Sequence, residues 1–563
     1  MRTSRREFIS CLGAGFAATL ASPSLLASDF KEPSFPLFRP GEYKRINSAT
    51  RQFHLSVTLS DVLAEGLVEH EHPMPKNSNA VEMKAANMAE LWKEAGVTDI
   101  WLAPYGPGVY TDQKTMDAAI RRAMDFGYRV HFINVPIGHP NSKLAPEVEA
   151  RWKPCKRYDG SESWGVSVHS ETAKDCVAAV RRLADKYGPC DLFFDDDYRF
   201  AISPADIGGC VCDECRTAFM AKSGFSEERL NETIADVRAN KDTKDVRTWI
   251  DYFCDILSKT FRDSRDIAPE VDLGIMVMGM GSEKAGIRLE DYRGALFRVG
   301  EWMFTNAQYD STKNKTIELY SSLFHRRFVE PERAFSETTI IQELSAENYV
   351  SKLSISTLSD VRNTMIMCQI PASYWKLITP RMKKEKEYHS RIYGAKAKGP
   401  FKHFWGMADR YMASYDAYSL FLACGVPFEV CDELPGDGFA FLGDASAREM
   451  ERGELTSPGA MCVARFESVN NRFAAVPETF EEIFKFRKTL LPKFKSEGIP
   501  YVEEETPVVL GWYPDAKAAY LWNVDNADKV VTLRKGERTV AVNLKALDSA
   551  MVIEGGDGEF RVI

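Results

Sequence analysis

Residues 192–219 read LFFDDDYRFAISPADIGGCVCDECRTAF. Three consecutive acids, Asp195, Asp196 and Asp197, close an apolar run, and three thiols, Cys210, Cys212 and Cys215, follow a short loop later. Carboxyl groups gathered where a strand ends are suited to proton transfer or nucleophilic attack. The plain alternative is a solvated turn or an N-cap, where acids are common, followed by incidental cysteines. Arg199 stands directly after the acids, flanked by Tyr198 and Phe200. That mixture of charge and aromatic surface suits a polyhydroxylated ligand better than a bare turn.

The elements that must position these groups come from the periodicity. From about Phe53 the chain alternates β-rich apolar runs with amphipathic helical ones: FHLSVTL, NAVEMKAANMAELWKEAG, TDIWLAP, KTMDAAIRRAMDFG, YRVHFINVP. The pattern continues through a helix AKDCVAAVRRLADKYG, the strand DLFFDDD, a helix around 246–265, the strand VDLGIMVMG, a weak strand at EWMFTNAQY, and the strands AFSETTI and NTMIMCQI. Strands alternating with helices at this spacing are parallel and crossed over. Eight such units in about 350 residues predict a (β/α)8 TIM barrel over 45–398 rather than a doubly wound sheet, which would open on a glycine-rich phosphate loop.

A barrel places its chemistry at the C-terminal ends of its strands. There the sequence supplies Asp61, Tyr105, Asn134, His139, the three acids, Tyr309, Glu337, Tyr374 and Trp375. Sugar rings lay apolar faces on flat aromatic side chains, so Tyr105, Trp164, Trp302, Tyr374 and Trp375 are candidate platforms, although each alone is more often packing. His70-Glu71-His72 lacks the i, i+4 spacing of a helical metal site and is read as rim loop.

Hydrolysis of a glycosidic bond takes two carboxyl groups, roughly 5 to 5.5 Å apart in retaining enzymes. Acids on strands four and seven face one another across a barrel mouth. The run from AKDCVAAVRRLADKYG through LFFDDDYRF to GCVCDECRTAF resembles the fourth-strand region of family 42 β-galactosidases. There a helix ending in Tyr-Gly leads to a strand closed by Asp-Asn-Glu and then to a Cys-x-Cys-x-x-Cys zinc loop. The resemblance puts the acid/base on Asp197 and the nucleophile on Glu337 in AFSETT. From the strand-end positions and residue types, the expected sugar contacts are Asp195, Asp196, Arg199, Asn134, His139, Tyr105, Trp164, Tyr309, Tyr374 and Trp375, and Glu343, well beyond the strand, competes with Glu337. The resemblance also implies a structural zinc on Cys210, Cys212 and Cys215, and no organic cofactor. Two departures stand out. Asp197 is one methylene shorter than the family's glutamate. The stretch that carries the family's fourth zinc cysteine reads SESWGVSVHS, which leaves Cys155 or His169 as the fourth ligand.

At the N-terminus, Ser4-Arg5-Arg6-Glu7-Phe8-Ile9 precedes a short Gly/Ala-rich apolar stretch. This looks like a twin-arginine export signal over 1–28, and it predicts a periplasmic or extracellular protein. No later apolar run approaches the roughly 20 residues of a spanning helix. A net charge of −9 without a basic stripe argues against nucleic acid. Residues 399–500 resemble a shortened form of the α/β domain through which family 42 relatives trimerise, which leaves a homo-oligomer open. Residues 505–563 alternate apolar and polar and predict a small antiparallel β-domain. The expected function is an exported glycoside hydrolase on a carbohydrate substrate. The alternatives are a carbohydrate-binding barrel without catalysis and, in another class, an exported oxidoreductase, which the missing nucleotide fingerprint disfavours.

Overall fold

The computed structural model describes residues 33–58, 88–105, 113–134, 151–166, 170–195, 198–200, 208–278, 282–302, 304–338, 344–367, 372–412 and 418–563. Eight parallel strands close into a barrel in chain order. They are β1 (Gln52–Thr58), β2 (Val97–Tyr105), β3 (Arg129–Asn134), β4 (Cys190–Phe194), β5 (Val271–Met278), β6 (Leu296–Glu301), β7 (Ala334–Thr338) and β8 (Asn363–Met367). β8 pairs back onto β1, with Asn363 beside Gln52 and Met367 beside Ser56.

Helices wrap this sheet because their apolar residues fall on one face. Lys244–Ile267 buries Trp249, Ile250, Phe253, Cys254, Leu257 and Phe261, and its N-cap Thr243 accepts from the Val246 N–H. No α-helix is found between β5 and β6 among the described residues. Two short 3-10 turns, Glu283–Ala285 and Leu289–Tyr292, make that connection.

The sixth strand differs from its expected place. EWMFTNAQY shares only Glu301 and its neighbouring turn with the strand, which runs Leu296–Glu301, and Asn306–Tyr309 is a helical turn. The reason is local. Thr305 and Gln308 form a capping box, each side chain satisfying the other's backbone N–H, which starts a helix where a strand was expected.

Beyond the barrel, five parallel strands form a sheet in the order Phe428–Cys431, Phe401–Phe404, Phe439–Leu442, Met461–Ala464, Ala474–Ala475. The C-terminal segment makes two antiparallel sheets, one of Tyr501–Val502, Lys529–Lys535 and Arg538–Leu544 and one of Val508–Tyr513, Ala518–Asn523, Ser549–Glu554 and Phe560–Val562. Val508, Leu510, Leu521, Val531, Leu533, Val542 and Val552 pack into one core there. No helix among the described residues is long and apolar enough to cross a membrane. Residues 1–32, with the export motif, lie outside the described residues.

Candidate active site at the barrel mouth

Alternation along the strands sends one residue in two into the bore. The inward positions fall into three tiers. At the N-terminal end, His131 bridges two carboxylates: its Nε2 lies 2.8 Å from Asp99 Oδ1 and its Nδ1 lies 2.8 Å from Asp191 Oδ2. Tyr43 donates to Asp191 at 3.0 Å, Arg129 to Asp99 at 2.9 Å, and His54 Nε2 sits 3.1 Å from Asn363 Oδ1. Burial alone would lower the His131 pKa, but hydrogen bonds to Asp191 and Asp99 overturn that and raise it to about 9. His54 lacks such a pair of acids, and burial lowers it to about 4 despite the Asp99 charge. One ring is therefore a fixed cation and the other neutral. This tier draws on five strands, β1, β2, β3, β4 and β8, and lies at the N-terminal end of the barrel.

An apolar belt follows, made of Ile46, Trp101, Ile133, Phe193, Met276, Leu296, Phe335 and Met365. It separates the lower polar tier from the mouth. Trp101 stacks on His131 at 4.6 Å and meets Phe335 edge-on at 5.4 Å.

The upper tier carries the candidate site. Phe335 is in the belt, so Glu337, two residues on, points into the bore above it. It is 8% exposed. Arg298 of β6 is registered beside Phe335 and is 3% exposed. It therefore lies diagonal to Glu337 on the same face, and its Nη1 donates to Glu337 Oε2 in a close ion pair. Ser336, between them in sequence, turns the other way and shares a 2.6 Å hydrogen bond with Ser356. Arg298 was not singled out by sequence. The signal was present as one arginine inside the apolar run ALFRVGEW, where a charge can only be tolerated if it meets an opposite one.

Asp195 follows β4 on the Phe193 face, half-buried, with its N–H donating to Asn134 O at 2.9 Å. Asp196, Asp197, His139, Asp61, Glu343 and His169 lie outside the described residues. Tyr105 and Trp164 have only their backbone within them, in β2 and in the strand Glu162–Val166. The remaining candidates are scattered. Asn134 is registered beside Phe194, on the face turned to the outer helices. Tyr309 is fully buried beneath the ammonium groups of Lys315 and Lys352, 5.1 and 5.6 Å from its ring. Trp375 is buried at the start of the helix Trp375–Ser390 and lines a cleft with Leu91, Glu94 and Pro380 on the outside of the barrel. Tyr374 is half-buried, its hydroxyl 3.5 Å from Leu344 O. Trp302 stacks on Phe304 at 5.7 Å.

The cysteines converge. The Sγ atoms of Cys210, Cys212 and Cys215 lie within 4.8 Å of one another, all buried. Cys212 is the N-cap of the helix Asp213–Ser223 and Cys215 is in its first turn, at the end where backbone dipoles favour negative charge. The Lys156 N–H donates to Cys210 Sγ at 3.2 Å. Gly209 brings the chain in at φ +117°, where a Cβ would sit 2.2 Å from the Phe253 ring. Cys155 is buried on the neighbouring hairpin strand Pro154–Lys156, but its sulfur is not one of the set within 4.8 Å. Three converging buried thiols fit a thiophilic cation that takes a further ligand from elsewhere.

No protein-family model and no curated protein matches the chain in sequence. Solved structures do match it in fold. The β-galactosidase from Rahnella sp. R3 superposes over 92% of this chain and 99% of its own with a TM-score of 0.59 at 10% identity. A catalytic mutant of the family 42 β-galactosidase Gan42B from G. stearothermophilus covers 90% and 98% with a TM-score of 0.55 at 9% identity. The β-galactosidase from Bacillus circulans sp. alkalophilus covers 90% and 99%, with a TM-score of 0.55 at 8% identity. The barrel followed by further sheets is thus the architecture of these glycosidases.

Proposed function

We propose that the chain is an exported glycoside hydrolase acting on a glycan or oligosaccharide with retention of configuration. The observation that supports it is a single buried carboxylate, Glu337, projecting inward at the C-terminal end of the seventh strand and held by Arg298. The architecture shared with glycosidases agrees with it. In this reading the Glu337 carboxylate attacks the anomeric carbon as the bond to the leaving oxygen breaks, and Asp197 gives that oxygen its proton. Asp197 then takes a proton from water, whose oxygen displaces Glu337 and frees the sugar. In this reading Asp195 accepts from sugar hydroxyls.

A second reading, a sugar-binding barrel without turnover, takes its support from the same ion pair, because a guanidinium on a carboxylate weakens it as a nucleophile. An activated 2-deoxy-2-fluoroglycoside separates the two. The hydrolase reading expects a stable glycosyl adduct, found on Glu337 by peptide mapping, and hydrolysis of aryl glycosides with retained anomeric configuration. Turnover with an inverted product, or a label on another carboxylate, would sink the assignment. Binding with no turnover across an aryl glycoside panel would leave the second reading.

Zinc on Cys210, Cys212 and Cys215 belongs to the same proposal, as a clamp on the loop that leaves the fourth strand. Protein purified from zinc-supplied cells should carry about one equivalent. Cys212→Ser should lose it together with several degrees of Tm, measured by metal analysis and calorimetry. Metal-free protein with an unaltered melting curve would remove the idea.

A further inference from the structure

The sheet that follows the barrel has the strand order of a ligand-binding one. Its parallel strands lie in the order Phe428–Cys431, Phe401–Phe404, Phe439–Leu442, Met461–Ala464, Ala474–Ala475, so the first two are exchanged relative to the chain. The order reverses between Phe401–Phe404 and Phe439–Leu442, which end level, with Phe404 beside Leu442. From the first the next strand lies on one side, and from the second it lies on the other. Doubly wound sheets bind nucleotides in the crevice that opens at such a point, and the phosphate meets the first N–H groups of a helix there.

In this chain the crevice is filled from within. The helix Asp444–Arg452 starts directly after Phe439–Leu442, and its N-cap is Gly443, which has no side chain to offer the free amides. Asp409, in the helix Met407–Met412 that follows the strand Phe401–Phe404, reaches across instead. Its Oδ1 accepts from the Ala445 N–H at 3.0 Å and the Ser446 N–H at 3.3 Å, and its Oδ2 accepts from the Ser446 hydroxyl. Asp409 is fully buried. Gly443 permits the approach, because a Cβ there would lie 2.4 Å from Asp409 Oδ1. A buried carboxylate is unfavourable, and burial pushes the Asp409 pKa up to about 7 against these hydrogen bonds. A serine or asparagine in place of Gly443 would cap the same helix without that penalty.

We infer that Asp409 is a built-in ligand: its carboxylate occupies and closes the crevice of the second domain, whatever the barrel mouth does, so that this domain takes no nucleotide. A small free carboxylate should bind there only where Asp409 is removed.

The test is peptide-level hydrogen exchange and calorimetry on the full chain, in mildly alkaline buffer where Asp409 carries its charge. Asp409→Ala should speed exchange in the peptide holding Ala445 and Ser446 by about tenfold or more, the scale of one lost hydrogen bond, and lower Tm. Formate supplies the deleted carboxylate. It should slow that exchange and raise Tm with a saturating dose response, while chloride at the same ionic strength does neither and the parent responds to neither salt. Gly443→Ala should lower the Tm of the parent far more than that of Asp409→Ala, and the double variant should not answer to formate, because the new methyl group fills the site. If Asp409→Ala does not fold in chloride, its refolding yield with formate is the readout. Absence of a formate effect, an equal effect of chloride or on the parent, or additive losses from the two substitutions would each overturn the inference. So would ATP or flavin mononucleotide slowing exchange of that peptide in the parent.

Discussion

Glu337→Gln is expected to lower kcat on aryl glycosides by on the order of 10⁴-fold or more, the scale seen when a nucleophile is removed from a unit that acts together. The glutamine keeps the shape of the side chain but neither its charge nor its capacity to form an acylal-type ester with the sugar. Loss must extend to activated leaving groups, because a good leaving group relieves the need for proton donation and not the need for a nucleophile. Glu337→Gly with added azide should recover turnover and yield the glycosyl azide of inverted configuration, since the small anion attacks from the side the carboxylate occupied. One complication has a known sign. Removing the carboxylate strands the buried Arg298 guanidinium, and breaking such a pair costs about 3–5 kcal/mol. Kinetics are therefore to be read well below the variant's own Tm. Retention of more than a tenth of parental kcat by a folded Glu337→Gln would end the assignment.

Much of the barrel was legible because strands buried on both faces read as apolar runs and the intervening helices as one-sided stripes. The sixth strand was obscured because Arg298 interrupts its apolar run, and the aromatic-rich segment after it looked more strand-like than the strand itself. That same arginine is the ion-pair partner of Glu337, so the misplaced strand and the unnoticed pair are one event. Glu337 was expected at a strand end, and it lies near the end of β7, where alternation with Phe335 fixes its direction once the core side is known.

Tyr309 and Trp375 show the converse limit. An aromatic residue shortly after a strand reads alike whether it faces the mouth or the outer helices, and only packing decides. Tyr309 is buried beneath two lysines, and Trp375 lines the cleft with Leu91, Glu94 and Pro380. The lower polar tier left a mark that went unused. His54 in FHLS, Asp99 in TDIW, His131 in RVHF, Asp191 in CDLF and Asp272 in VDLG each set one polar residue early in an otherwise apolar strand. A polar position repeated at the same depth of five strands is the trace of a layer that satisfies itself across the bore, as the His131 bridge between Asp99 and Asp191 does.

Arg298 carries the second large effect. Its Nη1 meets the Glu337 carboxylate, so in the hydrolase reading its role is to hold that carboxylate in place and in its charged form. Arg298→Met takes away the favourable charge while leaving Glu337 buried, and an uncompensated carboxylate favours its proton. The acid limb of the kcat/KM profile should therefore move to higher pH, and kcat/KM at neutral pH should fall by roughly 10²-fold, the size expected when a charge-assisted hydrogen bond to a reacting group is lost. A merely structural arginine would lower stability without moving the profile. Arg298→Lys keeps the charge and loses the fork, so it should return the acid limb most of the way while leaving kcat reduced. The sugar-binding reading makes the opposite forecast: with no reaction at Glu337, Arg298→Met changes affinity alone, and no pH profile of turnover exists to move. An acid limb that stays where it is in a folded, active Arg298→Met protein would show that Glu337 keeps its charge by other means, and the ion pair would then be architecture.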